Sequence, residues 1–282
     1  MSYETLIGVD DLHALMTSGE DVLVLDCAFE LGAPDKGRQA YAQGHIPDAR
    51  HADLDTDLAS APNGSNGRHP LPEPAVLAAW LRAQGLRKGQ QVVACDGSGG
   101  AWAARAWWLL RWLGHAPVAV LDGGLQAWTA AGLPLEMGTP QAATPGDFEA
   151  GESLVPAPVT AAEVLANVEG GTARVLDARD PSRFAGEPHP LDPVAGHIPG
   201  ARNRFFRDNL DAGGRFRDSA SLAAEFSALL DGAPAIVQCG SGVTACHNAL
   251  AMAVAGLRAP RLYPGSWSEW IADPARPVAT GA

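Results

Sequence analysis

The chain of 282 residues carries one ordered set of signals twice. Val22-Leu23-Val24-Leu25-Asp26 is echoed by Ala173-Arg174-Val175-Leu176-Asp177. Gly44-His45-Ile46-Pro47 returns 152 residues later as Gly196-His197-Ile198-Pro199. Asp96-Gly97-Ser98-Gly99 returns 143 residues later as Cys239-Gly240-Ser241-Gly242, and Gly123 with Trp128 returns 142 residues later as Gly265 with Trp270. Same order with slowly drifting offsets is the mark of a tandem duplication. The chain must therefore fold as two similar domains, each with its own core.

Within each copy, short apolar runs alternate with helical patterns. In the first, Asp10 or Asp11 is expected to cap a helix to about Thr17. Strands are expected over 22–25, 91–95 and 118–121, and helices over 75–83 and 101–113, the former entered through Pro72 and Pro74. In the second, Thr160 and Glu163 form a capping-box signature, Val175 and Leu176 lie in a strand, and 222–230 is a helix. Strands are expected over 235–237 and 261–263, with a helix over 243–255. Alternation of this kind predicts an α/β fold, a parallel sheet in each domain with helices on both faces. The predicted domains are residues 1–137 and 159–282. The Pro-, Gly-, Ala- and Thr-rich stretch 138–158 reads as an ordered or semi-ordered linker, with the two domains facing each other across a cleft.

Ligands of such sheets lie beyond the carboxyl ends of the strands, and there the two copies differ. The second ends a strand on Cys239 and enters a helix through Gly240-Ser241-Gly242-Val243-Thr244-Ala245-Cys246-His247. Two glycines let successive N–H groups turn inward, and those amides and the helix N-terminus favour an anion. A thiol in that position is expected to be partly thiolate at neutral pH. A Cys-dependent phosphatase would need an arginine where Ala245 stands. A P-loop would need Gly-Lys-Ser/Thr, and structural zinc would need close Cys pairs. Sulfur chemistry remains, with the thiolate attacking a sulfane sulfur and holding it as a persulfide. No metal or cofactor is expected.

The loop Cys239-Gly240-Ser241-Gly242-Val243-Thr244-Ala245-Cys246 resembles the active-site loop of the 3-mercaptopyruvate sulfurtransferases, in the rhodanese superfamily. The internal repeat extends that resemblance over nearly the whole chain, as two tandem rhodanese-like domains. Relatives preferring thiosulfate carry basic residues where Gly240 and Ser241 stand. The resemblance implies a catalytic Cys239, with Gly240, Gly242, Val243 and Thr244 around the bound sulfur. It implies that Ser241 works with His69, placed by the Leu-Pro that follows it, and with Asp55, placed by counting from His-Ile-Pro. Arg183 would grip the donor carboxylate. A second family arginine is missing: Glu187-Pro188-His189-Pro190 leads to Leu191, and His189 or Arg179 could substitute. The donor would be 3-mercaptopyruvate or, alternatively, thiosulfate, and the acceptor a thiol, thioredoxin or cyanide. A persulfide-carrier module is a further alternative.

The first copy has Asp96 in place of Cys239. A carboxylate cannot carry sulfane sulfur, so that domain is expected to be catalytically silent. His45 and His197 occur in both copies and read as structural, as do Cys27 and Cys95. Cys246 sits one helical turn beyond the loop, either as a packed helix residue or as a redox partner of Cys239. Most of the eight tryptophans lie at helical spacings suited to a core, while Trp267 and Trp270 are candidates for a cleft wall. A net charge of −12 argues against nucleic acid or an anionic membrane as partner. Neither a secretory signal nor a membrane-spanning run is read, and four cysteines suit a reducing cytoplasm rather than a disulfide framework.

Overall fold

The computed structural model describes residues 2–139 and 142–281. It divides into two compact units, neither contiguous in sequence. The first comprises residues up to 60, 72–154 and 212–216, and the second 61–71, 155–211 and 217 onward. Among the described residues no helix is long and apolar enough to cross a membrane.

In the first unit, strands β1 (Leu6–Ile7), β2 (Val22–Asp26), β3 (Arg50–His51), β4 (Gln91–Cys95) and β5 (Val118–Leu121) form one sheet in the order β1-β5-β4-β2-β3. Every pairing is parallel. In the second, β6 (Arg174–Asp177), β7 (Arg202–Asn203), β8 (Ala235–Gln238) and β9 (Arg261–Leu262) are ordered β7-β6-β8-β9, again all parallel. The interior strands β4 and β8 are buried along most or all of their length, which explains their continuous apolar runs.

The helix following each of these strands is enclosed as well. Residues 103–110 of helix Ala103–Trp112 and 245–252 of helix Thr244–Val254 are all buried. Helices surrounded on every side have no solvent-facing polar stripe, their few polar residues such as Arg105, His247 and Asn248 being buried, and small Ala residues let the sheet and neighbouring helices approach closely. The duplication also reaches single hydrogen bonds. Trp128 Nε1 donates to the Pro134 carbonyl at 2.9 Å, and Trp270 Nε1 to the Pro277 carbonyl at 2.8 Å. His45 stacks on Tyr41 and bonds its carbonyl through Nδ1, as His197 does with Phe184.

Several local expectations shift. The helix expected to be capped by Asp10 or Asp11 begins at Val9 after Gly8, so both carboxylates lie in its first turn, facing the positive dipole end. The Thr160–Glu163 capping box forms in both directions. Helices Pro34–Gln43, Gly124–Ala130, Pro181–Ala185 and Ser266–Trp270 escaped the periodicity reading because short or polar helices carry little apolar pattern. Of the stretch expected as a linker, residues 142–154 are pinned to the first unit, while 155–158 belong to the second. The amides of Gly146, Phe148, Gly151 and Leu154 donate to the carbonyls of Arg82, Leu86, Leu113 and Arg111, and Phe148 is buried edge-on to His115.

At the end of β4 the carboxylate of Asp96 is 1% exposed and accepts four backbone hydrogen bonds. Ser98 and Gly100 donate to Oδ1 at 2.7 and 2.9 Å, and Trp102 and Ala103 to Oδ2 at 2.8 and 2.9 Å. The loop is an anion cradle filled by the protein's own side chain. Removing the carboxylate strands four donors, those of Gly100 and Ala103 buried and those of Ser98 and Trp102 partly so, so Asp96→Ala should lower stability by about 3–5 kcal/mol. Asp96→Asn, which keeps one acceptor oxygen, should cost less. Urea unfolding would show both, and an unshifted midpoint for Asp96→Ala would refute this account of the loop.

Candidate active site

The corresponding loop of the second unit carries sulfur instead. Cys239 follows β8, is 2% exposed, and accepts the Ser241 amide on Sγ at 3.4 Å. The repeat offset of 143 maps the Asp96 donors Ser98, Gly100, Trp102 and Ala103 onto Ser241, Val243, Ala245 and Cys246. The Cys246 amide donates to the Val243 carbonyl at 3.0 Å. The helix opening at Thr244 has no side-chain cap, so its positive end is offered to whatever charge Cys239 bears. Val243 is buried and Thr244 half-buried.

Two glycines shape this loop for different reasons. Gly242 has φ +77°, and a β-carbon there would stand 2.3 Å from the Pro264 carbonyl oxygen. Only glycine satisfies both limits. Gly240 is not conformationally forced. A β-carbon on it would stand 3.1 Å from Nη2 of Arg183 and 3.1 Å from Nη2 of Arg68. Two guanidinium groups therefore lie over the residue next to the thiol.

Ser241 is 6% exposed and His69 3% exposed, and Ser241 Oγ and His69 Nδ1 are hydrogen-bonded at 2.7 Å. Although His69 precedes the second domain by sequence, the segment 61–71 packs in the second unit. Its anchoring is backbone work. Gly67, at φ +85°, comes so close to Gly265 that a β-carbon would be 2.8 Å from its carbonyl oxygen. The Arg68 amide donates to Ser268 Oγ at 2.9 Å, and the Ser268 amide donates to the Gly240 carbonyl at 2.9 Å. One serine thus fixes the His69 segment to the cysteine loop. Asp55 belongs to the first unit, where it is exposed and its amide donates to Asp53 Oδ1 at 2.9 Å.

Arg183 is held by Asp192, with Nε to Oδ2 at 2.8 Å and Nη2 to Oδ1 at 2.9 Å. Arg179, weighed in the sequence as a substitute cation, is buried and bonded through Nε and Nη2 to both oxygens of Asp177. It stacks over Trp267 with 4.7 Å to the ring centroid, so its work is structural. His189 accepts the Leu191 amide on Nδ1 at 3.3 Å. Cys246 is buried and its thiol donates to the Gly242 carbonyl at 3.4 Å, and none of the four cysteines is in a disulfide. Trp267 and Trp270 are fully buried in the core of the second unit.

Residues missed from sequence also serve the site. Arg68, Asp192, Ser266 and Ser268 gave no motif. Ser266, fully buried at φ +52°, accepts the Cys239 amide on Oγ at 3.0 Å and donates to the Tyr263 carbonyl at 2.9 Å. Its signal was available in the repeat, since the equivalent residue 142 positions earlier is Gly124, at φ +59°. A side chain in that conformation costs energy that its two hydrogen bonds offset.

The Gly242 geometry yields a direct test. Gly242→Ala should lower stability by about 2–4 kcal/mol through the forbidden φ and the clash with Pro264, and should distort the cradle. Thermal unfolding and the alkylation rate of Cys239 measure the two effects. A variant as stable as the parent would contradict the geometry.

Comparison with known proteins follows this architecture. The rhodanese-like domain family matches residues 8–131 and again 160–273. A Pseudomonas aeruginosa protein named "Probable 3-mercaptopyruvate sulfurtransferase" is 52% identical, over 100% of both chains. A Mycobacterium tuberculosis protein, SseB, whose name places it provisionally among thiosulfate sulfurtransferases, is 41% identical over 99% of this chain and 98% of its own. Among solved structures, the 3-mercaptopyruvate sulfotransferase SseA of Escherichia coli, described by its "Rhodanese" fold, superposes with a TM-score of 0.81. It is 32% identical, over 94% of this chain and 99% of its own. Two copies of one parallel-sheet domain, one loop closed by an aspartate and the other by a cysteine, are thus two rhodanese-like domains, and the chain belongs to that family.

Proposed function

We propose that this chain is a sulfurtransferase that takes sulfur from 3-mercaptopyruvate as a persulfide on Cys239 and passes it to a small thiol, thioredoxin or cyanide. The observation carrying this reading is the buried Cys239 thiol in an amide-lined loop beside the Ser241–His69 pair. An anion cradle whose twin holds a carboxylate suits a persulfide anion, because its donors are already oriented when the charge arrives.

The balance is simple. The Cys239 thiolate attacks the donor sulfur and the C–S bond breaks, with its electron pair passing to the methylene carbon as the enolate of pyruvate. The proton from the donor thiol moves to that carbon, leaving pyruvate and a Cys239 persulfide anion. Ser241 and His69, 2.7 Å apart, supply the route for this proton. Arg183, oriented by Asp192, faces the donor carboxylate. With thiosulfate the same attack would release sulfite, and no carbon would need a proton.

The thiosulfate reading rests on the name of the Mycobacterium relative. A loop with no cation of its own at Gly240 or Ser241 favours the monoanionic donor. The carrier reading would need a donor protein to load Cys239. We place the work in a reducing cytoplasm, where the free thiols of this chain persist.

Incubation with 3-mercaptopyruvate alone should add one sulfur atom to the intact mass, and Cys239→Ser should abolish it with turnover down roughly a thousandfold or more. Failure of the parent to load would favour the carrier. Side-by-side kcat/KM values decide the donor, and a higher value for thiosulfate would reverse the order given. Ser241→Ala should cut kcat about 100-fold with 3-mercaptopyruvate and far less with thiosulfate. Equal losses would remove the proton relay from the mechanism.

A further inference from the structure

We propose that Arg68 is a donor-binding residue, the second guanidinium of a clamp that reads the carboxylate of the sulfur donor. The inference rests on the function proposed above and extends it to a residue that no sequence motif singled out.

Charge at the site decides the matter. Arg183 is neutralised by a bidentate pair with Asp192, and Arg179 by one with Asp177. Arg68 differs: among the described residues no carboxylate lies within 4.0 Å of its guanidinium. Its Nη1 donates to the Leu191 carbonyl at 3.0 Å, and its buried Nε has no protein partner. Arg68 is thus the cation beside the cysteine that holds no carboxylate in an ion pair of its own, with Asp192 acting on it only from a distance. A site that must receive a thiolate and an anionic donor together requires such a cation.

Position agrees with charge. Nη2 of Arg68 and Nη2 of Arg183 are each 3.1 Å from the point that a Gly240 side chain would fill. Two forks converging on one point from opposite segments match a planar carboxylate. Glycine at 240 keeps that point open. Burial lowers the Arg68 pKa below the ordinary arginine value and Arg183 lowers it further, while Asp192 and Cys239 raise it. A partly desolvated cation of this kind gains most from an incoming anion. Placement of Arg68 comes from the Ser268 hydroxyl, which accepts its amide, so the cation and His69 arrive on one fixed segment.

The experiment compares two donors that differ only in the carboxylate, 3-mercaptopyruvate and mercaptoacetone. Losing one charge-assisted contact should raise KM for 3-mercaptopyruvate about 10- to 100-fold in Arg68→Gln, with a much smaller loss for mercaptoacetone that reports only the effect on the Cys239 thiolate. Arg68→Lys keeps the charge and loses the fork, and should show a smaller rise with the same selectivity. If Arg68→Gln does not fold, Arg68→Lys decides alone. Pyruvate binding to Cys239→Ser, followed by titration calorimetry with and without Arg68→Gln, reads the clamp without turnover. Weaker pyruvate binding in the double variant supports the clamp even should the parent fail to use 3-mercaptopyruvate, which would refute only the function. Equal losses with both donors, or no loss, together with unchanged pyruvate binding, would overturn the assignment.

Discussion

Backbone amides at the end of an interior parallel strand have to be satisfied, and in the first unit four of them are gathered around one side chain. A loop that bends to open a helix leaves its first N–H groups without intrahelical partners. In the first unit those groups converge on the Asp96 carboxylate. In the second the side chain is Cys239, whose sulfur accepts one such amide, from Ser241 at 3.4 Å. A thiol is a poor acceptor, and the same geometry that rests in the first unit is prepared for a charge in the second. A duplication has produced a closed cradle around Asp96 and an open one around Cys239.

Everything else near the thiol works to hold that open cradle. Gly242 provides a backbone conformation and a close approach to Pro264 that a β-carbon would prevent. Ser266 accepts a strained conformation and binds the Cys239 amide from below. Ser268 joins the Gly240 carbonyl to the Arg68 amide. Such contacts fix positions rather than add much stability, and small displacements would matter to transfer between two sulfur atoms. Buried charges around the loop are paired in the same spirit. Asp177 and Asp192 compensate Arg179 and Arg183, so the field at the thiol is set by what remains over.

The fold and part of the site were legible in the sequence because they rest on local rules. Ala235-Ile236-Val237 reads as a buried strand and the Ala-rich run behind Cys239 as a helix, and both form. The Thr160–Glu163 cap and the strand over 91–95 follow from side-chain chemistry within a few residues. His69 was legible through its Leu-Pro context and proves to be bonded to Ser241. Ser266 could have been found by extending the repeat one residue past Gly265. Arg68 and Asp192 could not, because nothing local distinguishes them from surface charges.

The sequence by itself determined the duplication, the parallel α/β plan, the cysteine at a strand end and the two glycines that shape its loop. Each is written in residues that are neighbours along the chain. Tertiary structure alone decided that the segment 61–71 packs with the second unit, that Asp192 takes up Arg183, and that Arg68 lies over Gly240 with no ion pair of its own among the described residues. The reason is physical: pairing of charges depends on which groups meet through space. That is set by how the chain packs, over 9 residues for Arg183 and Asp192 and over 123 for Arg68 and Leu191, and a periodic pattern of near neighbours does not record it.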